Sequence, residues 1–321
     1  MESASRIYVA GHSGLAGSAL VRALRAAGFH NLVLRSHAEL ELRDARAVAD
    51  FFARERPEHV FLAAAKAGGI LANDRYPADF IRDNLAIELN VVCEAARAGV
   101  RRLLLLGSSC IYPRDCPQPM QEAHLLTGPL EATNRAYAVA KIAGIELCWS
   151  YNRQHGTRFL AAMPTNLFGP GDQYDLQTSH VLPALIRKVH EAKARGERTV
   201  TVWGSGRPRR EFLYSDDMAE ACVFLMRLSE AAFAGLAAPG VVPLINVGAG
   251  KDLSIAELAV LVGEALGYEG GFIYDASKPD GTPRKLLDTS RLAALGWRPR
   301  IGLRAGIALA YRDFLARESA A

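Results

Sequence analysis

Little in this sequence suits a membrane, a metal or an oxidising setting. Its five cysteines (Cys93, Cys110, Cys116, Cys148, Cys222) are odd in number and scattered, with no Cys-x-x-Cys pair. That pattern argues against metal ligation and a disulfide framework, and favours a reducing, cytoplasmic compartment. No apolar run approaches membrane-spanning length, and Met1-Glu2-Ser3-Ala4-Ser5-Arg6 lacks the charged-then-apolar order of a secretory leader. Aromatic residues are sparse, at 8% of 321, as suits small residues packing helices tightly onto a sheet. The net charge of +4 is spread among interspersed acids and bases. A basic block for nucleic acid is therefore missing, and a pocket for an anionic small ligand accounts for the excess.

What the chain does have is alternation. Short apolar runs at 6–10, 32–34, 59–64, 102–107 and 158–163 read as strands, and helix-period segments at 15–27, 45–54, 85–98 and 135–155 lie between them. Strands separated by single helices predict right-handed crossovers and an α/β fold with a doubly wound parallel Rossmann sheet. After Pro164 the alternation fades into a polar loop at 169–178 and a helix at 181–195. Short strands at 200–203, 210–214 and 244–247 follow, with helices at 216–228, 255–266 and near 290–295. The expected division is a dinucleotide-binding domain over 1–168, to which segments near 210–248 return, and a smaller C-terminal α/β substrate-binding region over 169–321.

Gly11-His12-Ser13-Gly14-Leu15-Ala16-Gly17 follows the first strand and opens the first helix. Glycines there permit a tight turn and close backbone approach to a diphosphate at the helix N-terminus. The second strand ends in Arg35-Ser36-His37, with no acid before Glu39. A base at this point suits the 2′-phosphate of NADP better than the free ribose hydroxyl of NAD.

Ser108-Ser109-Cys110 lies at the carboxyl end of the fourth strand, the edge where open parallel sheets bind ligands. Tyr137 and Lys141 are four apart on a helix and share a face. The ammonium is expected to lower the tyrosine pKa; moving a phenol from 10 to 7 takes about 4 kcal/mol. Ser108 or Ser109 would hold a substrate carbonyl oxygen. A thiol at Cys110 exceeds what simple reduction needs, and with its pKa lowered by neighbouring cations it would serve as a base. His180, at the start of the 181–195 helix, is the candidate opposing acid; capping or surface exposure is its other reading.

These runs resemble the extended short-chain dehydrogenase/reductases, and within them the GDP-L-fucose synthase family. The resemblance rests most specifically on Gly107-Ser108-Ser109-Cys110-Ile111-Tyr112-Pro113 and Lys278-Pro279-Asp280-Gly281-Thr282-Pro283-Arg284-Lys285. It implies epimerisation of GDP-4-keto-6-deoxy-D-mannose at carbons 3 and 5, then NADPH-dependent reduction at carbon 4. By the same resemblance Ser108, Tyr137 and Lys141 carry reduction, Cys110 and His180 carry epimerisation, and Lys188, Trp203, Arg210, Asp280 and Lys285 meet the GDP-sugar. NADP(H) would be held by Gly11, Ser13, Gly14, Leu15, Gly17, Arg35, His37, Leu40, Ala63, Ala64, Ala65 and Ser109. Tyr137, Lys141, Pro164, Asn166, Leu167 and His180 complete that set. A homodimer through the helices near 85–98 and 135–155 is implied as well.

Three departures stand out. Ser13 and His37 replace arginines typical of the family at the 2′-phosphate, which leaves Arg35 as the substitute and the NADP/NAD balance open. Lys188 replaces a substrate-phosphate arginine, keeping charge without the bidentate fork. A nucleotide-sugar 4-epimerase or 4,6-dehydratase with bound NAD is the nearest alternative, and a non-catalytic NADP-sensing regulator is a more distant one.

Overall fold

The computed structural model describes residues 1–238 and 240–319. In chain order the first half runs β1 (Ile7–Ala10), α1 (Leu15–Ala26), β2 (Leu32–Val33), α2 (Ala45–Glu55), β3 (His59–Leu62), α3 (Ile70–Arg75), α4 (Pro77–Arg97), β4 (Arg102–Leu106), α5 (Arg135–His155) and β5 (Phe159–Pro164). The second half adds β6 (Asn166–Phe168), α6 (Val181–Arg195), β7 (Thr199–Trp203), β8 (Arg209–Tyr214), α7 (Ser215–Arg227), α8 (Glu230–Leu236) and β9 (Leu244–Val247). It closes with β10 (Asp252–Ser254), α9 (Ile255–Leu266), β11 (Gly271–Asp275), β12 (Arg284–Lys285), α10 (Ser290–Ala294) and α11 (Leu303–Glu318).

The main sheet has strand order β2-β1-β3-β4-β5-β9 and every pairing is parallel. Its strands are buried on both faces, which is why they read as continuous apolar runs. Tyr8, Leu62, Leu103 and Leu105 point toward α2, α4 and α5, whereas Ile7, Val9, Phe61 and Leu104 point toward α1 and α7. Strand β9 and helix α7 thus join this layer, while β8 pairs instead with β6, β10 and β12 in a smaller sheet. A two-stranded β11-β7 ribbon and helices α6, α9 and α11 build the third core around Phe168, Ile186 and Phe212.

Two elements differ from the sequence expectation in ways that matter. Helix α4 begins at Pro77 and not near 85, because its first turns carry Asp79, Arg82 and Asp83, which hide the apolar period. Those turns brace the loop after β3: Asn84 accepts from the Lys66 N–H at 3.0 Å, and Lys66 Nζ meets Asp83 at 3.1 Å. The terminal helix α11 is masked in sequence by alanine and arginine, yet Ile307, Ala310 and Phe314 bury one stripe. It fastens the loop after β6. Gly171 N–H donates to Asp313 at 3.1 Å, Arg317 donates to the Asp172 carbonyl at 3.1 Å, and Tyr174 donates to the Ala310 carbonyl at 3.1 Å.

Buried Asp172 records what this docking costs. Burial pushes its carboxyl up to about 7. A raised carboxyl favours folding while protonated, so its contribution is full below the ordinary carboxylate range and fades as pH rises through 7. Asp172→Asn keeps an acceptor for the Gln173 N–H. Its stability relative to wild type in urea unfolding should improve by about 3 kcal/mol between pH 5 and pH 8. A difference independent of pH would contradict the assignment.

Candidate active site

Strand β4 delivers the reactive segment. Its backbone leaves the sheet at Leu106, and Ser108 (φ −156°, ψ 145°) opens a single 3-10 turn over Ser109–Ile111. The Ser108 hydroxyl accepts from the Cys110 N–H at 3.5 Å, the long end of hydrogen bonding, and Ser109 and Cys110 are buried. Helix α5 crosses behind with Tyr137 and Lys141 one turn apart. Lys141 Nζ donates to the Leu106 carbonyl at 3.0 Å, approaches Glu88 Oε1 of α4 at 2.9 Å, and lies 5.8 Å from the Tyr137 ring centroid. Phe80 meets the tyrosine ring edge-on at 6.3 Å.

In front of this junction lies a cavity of about 340 Å³ between the two halves of the fold. Ser108, Ser109, Cys110, Tyr137, Asn166, Leu167 and His180 line it, as do Lys188, Trp203, Arg210, Asp280 and Lys285. Lys141 sits behind Tyr137, out of the lining. His180 occupies the N-cap position of α6 but makes no capping bond with its side chain, so the capping alternative fails. The residue is exposed, as the other half of that alternative has it, and it lines the cavity.

The glycine loop lies apart from this cavity, on the neighbouring strand ends. Gly11 has φ +79°, and a Cβ there would stand 2.7 Å from the Ala64 backbone; one on Gly17 would stand 2.0 Å from the Gly11 carbonyl oxygen. Only glycine therefore lets the loop lie flush against Ala63 and Ala64. Gly14 begins α1 without a side-chain cap, leaving first-turn N–H groups for an anion, as a diphosphate requires. The residues present thus fit a dinucleotide, with Ser13, Leu15, Ala65 and Pro164 along the same sheet edge. At the end of β2, Arg35 meets buried Glu55 at 2.7 Å and His37 meets Glu41 at 3.0 Å; Leu40 is buried below them. Both basic groups already hold carboxylate partners.

Proton affinities run opposite to the sequence expectation. Burial pushes the Tyr137 phenol up to about 12 against the opposing pull of Lys141. Burial likewise raises Cys110, and the cation that most opposes this is Lys285, ahead of Lys141. His180 is lowered by burial and then by Lys285. Desolvation outweighs single charges here, so the phenol and thiol are kept protonated and the imidazole neutral.

The outer cavity is cationic. Lys188 Nζ and Lys278 Nζ lie over the half-exposed Trp203 indole, 4.8 and 5.3 Å from its ring centroid. Asp280 accepts from the Ser205 N–H and hydroxyl, each at 2.7 Å, fixing the turn after Trp203. Burial lowers Arg210 to about 10. Sequence reasoning gave no role to Glu88, Glu131, Asn134, Ser179 or Lys278. Asn134 Oδ1 and Ser179 Oγ are buried cavity atoms without a partner among the described residues. Glu131 and Asn134 fall in an aperiodic stretch that carries no signal. Glu88 had one: an acid on the buried stripe with Val91 and Ala95.

If Lys285 is the cation that most favours the Cys110 thiolate, Lys285→Met should slow alkylation of Cys110 by iodoacetamide at pH 8.5 by about three- to tenfold. Peptide-resolved mass spectrometry reads this, with Cys93 as internal control. An unchanged rate would remove Lys285 from that role.

Residues 7–236 match the model of the NAD dependent epimerase/dehydratase family. GDP-L-fucose synthase of Escherichia coli K12 is 53% identical over 98% of this chain and 97% of its own length. GDP-L-fucose synthase 1 of Arabidopsis thaliana is 52% identical over 98% of this chain and 94% of its own length. A Campylobacter jejuni GDP-D-glycero-L-gluco-heptose synthase, solved in the presence of NADPH, superposes with a TM-score of 0.92 at 36% identity, covering 98% of this chain and 99% of that one. The chain belongs to the NAD dependent epimerase/dehydratase family, among the extended short-chain dehydrogenase/reductases, and groups there with the GDP-L-fucose synthases.

Proposed function

We infer that the chain is an NADPH-dependent epimerase–reductase that converts GDP-4-keto-6-deoxy-D-mannose to GDP-L-fucose, inverting carbons 3 and 5 and then reducing carbon 4. The observation that carries this is the convergence of Ser108, Cys110, Tyr137 and His180 on one cavity. A reductase needs the serine and the phenol; the thiol and the imidazole are surplus unless protons also move on carbon.

The ketone at carbon 4 acidifies the hydrogens on carbons 3 and 5, so one base–acid pair can serve both centres. Cys110, as the thiolate that Lys285 favours, removes the proton at each centre, and His180, working as the imidazolium, delivers one to the opposite face of the same carbon; exchange with solvent resets the pair between the two inversions. Ser108 and Tyr137 hydrogen-bond the oxygen on carbon 4 while negative charge gathers there. NADPH, when bound, would supply the hydride for carbon 4. Tyr137, which burial keeps protonated, donates the proton to the resulting alkoxide, and Lys141 balances the phenolate left behind. The glycine loop would hold the diphosphate of NADPH. Arg35 and His37 would turn from Glu55 and Glu41 to its 2′-phosphate. Trp203 would stack on the guanine, with Lys188 and Arg210 on the sugar-nucleotide diphosphate and Asp280 holding the turn beside them.

In this reading the 1–168 half carries the cofactor, with β9 and α7 returning to it, and 169–321 covers the substrate. No described helix is long and apolar enough to cross a membrane, and a cytoplasmic dimer is the proposed working form. Helices α4 and α5 would pair with their copies through a face that exposes Leu89 and Val139. A 4,6-dehydratase would want an acid beside the strand-end serine, where this chain has Cys110 and Ile111, and a mere sensor would not need an intact Tyr–Lys pair.

Incubation with the keto-sugar in D₂O without NADPH isolates the epimerase step. Wild type should exchange at carbons 3 and 5, while Cys110→Ser and His180→Gln should slow that exchange by about 100-fold or more with NADPH binding intact. Undiminished exchange in both variants would overturn the assignment.

A further inference from the structure

Lys141 Nζ makes two polar contacts, and neither partner has a part in the proposed reaction. Glu88 and Lys141 are 1% and 2% exposed, and Nζ stands 2.9 Å from Glu88 Oε1. No other group donates to that carboxylate among the described residues. The second contact, to the Leu106 carbonyl at 3.0 Å, reaches the strand end just ahead of Ser108. One ammonium therefore joins α4, α5 and the tip of β4.

The fold makes room for this carboxylate. Gly144 lies on α5 one turn after Lys141, and a Cβ there would stand 2.6 Å from Glu88 Oε2 and 2.8 Å from Leu105 Cδ2. A notch in one helix thus receives an acid from the other. As a source of stability alone the arrangement is poor, because a well-packed apolar pair would avoid desolvating two charges. Its position beside the reactive phenol suggests another use.

Burial alone would push Lys141 toward its neutral form, but Glu88 reverses this and holds the ammonium above its ordinary range. The ionisable groups facing the pair are Tyr137 and Cys148 on α5 and Cys110 on the β4 turn, with Lys285 beyond the thiol. Glu88 also opposes the pull of Lys141 on Tyr137. The pair keeps a cation in place without stripping the phenol of its proton. Tyr137 can then remain a donor until charge develops on the substrate oxygen.

We propose that Glu88, seated in the Gly144 notch, is a positioning residue that keeps Lys141 charged and aimed behind Tyr137. This rests on the epimerase–reductase reading for its catalytic consequence, but its effect on Lys141 can be read without the sugar. In full-length protein, NADPH affinity by fluorescence and single-turnover reduction at carbon 4 are followed from pH 6.5 to 9.5 for wild type, Glu88→Gln and Glu88→Asp. Wild type should stay nearly flat. Glu88→Gln should lose about tenfold in both measures between pH 7 and 9, as Lys141 gives up its proton. Glu88→Asp should recover part of the loss. Wild-type profiles in Glu88→Gln would overturn the proposal and leave Glu88 a packing residue. If Glu88→Gln does not fold, Glu88→Asp and Gly144→Ala decide, since each displaces the carboxylate; wild-type profiles in both would equally overturn it. Absence of sugar turnover in wild type, with the NADPH-affinity loss present in the variant, would instead fault the functional reading.

Discussion

Three elements meet at one buried ammonium. Lys141 joins helix α5 to the last carbonyl of β4 and to Glu88 of α4, and these contacts set where the sheet edge ends and where Tyr137 stands. Everything reactive is measured from that junction. Ser108 follows Leu106 by two residues, Cys110 follows in the same short turn, and Tyr137 precedes Lys141 by one helical turn. The smaller half of the fold then brings His180, Trp203 and Arg210 across the gap. Within it Glu211, with no exposed surface, accepts the Leu287 N–H at 3.0 Å and the Gly250 N–H at 2.6 Å, which places neighbouring Lys285 against the cavity.

Desolvation dominates the proton chemistry of this site. A phenol or thiol surrounded by protein resists ionisation more strongly than a single nearby lysine can counter. Tyr137 and Cys110 both show this: it suits Tyr137, a donor that must still hold its proton when the alkoxide forms, whereas Cys110 as a base needs a neighbouring cation, Lys285 foremost, to favour its thiolate. The cations ringing the cavity do separate work. Lys285 acts on the thiol, Lys141 behind the phenol, and Lys188 and Lys278 on the indole that faces the outer end.

Much of this was legible in the residues, and the reasons are specific. Helices α5, α6 and α9 end where predicted because Gly156, Gly196 and Gly267 take the left-handed conformation that terminates a helix. The Ser-Ser-Cys strand end and the Tyr–Lys spacing could be read because both are local. Helix α4 was shortened in the reading because its first turns spend their side chains on distant partners, Asp83 on Lys66 and Asn84 on the Lys66 backbone. Glu131 and Asn134 depend on tertiary contact and leave no periodic trace, and the place of Glu88 on the buried stripe of α4 does not by itself reveal the Gly144 notch that receives it. The Arg35–Glu55 and His37–Glu41 pairs are likewise invisible until the chain folds, although they decide how freely those bases can meet a 2′-phosphate.

The central claim is that one cavity both inverts and reduces the same sugar. NMR of the product formed from GDP-4-keto-6-deoxy-D-mannose and NADPH in D₂O tests it most directly. The expected product is GDP-L-fucose with deuterium at carbons 3 and 5 and protium at carbon 4. A reduced product that keeps the D configuration and carries no deuterium on the ring would contradict it.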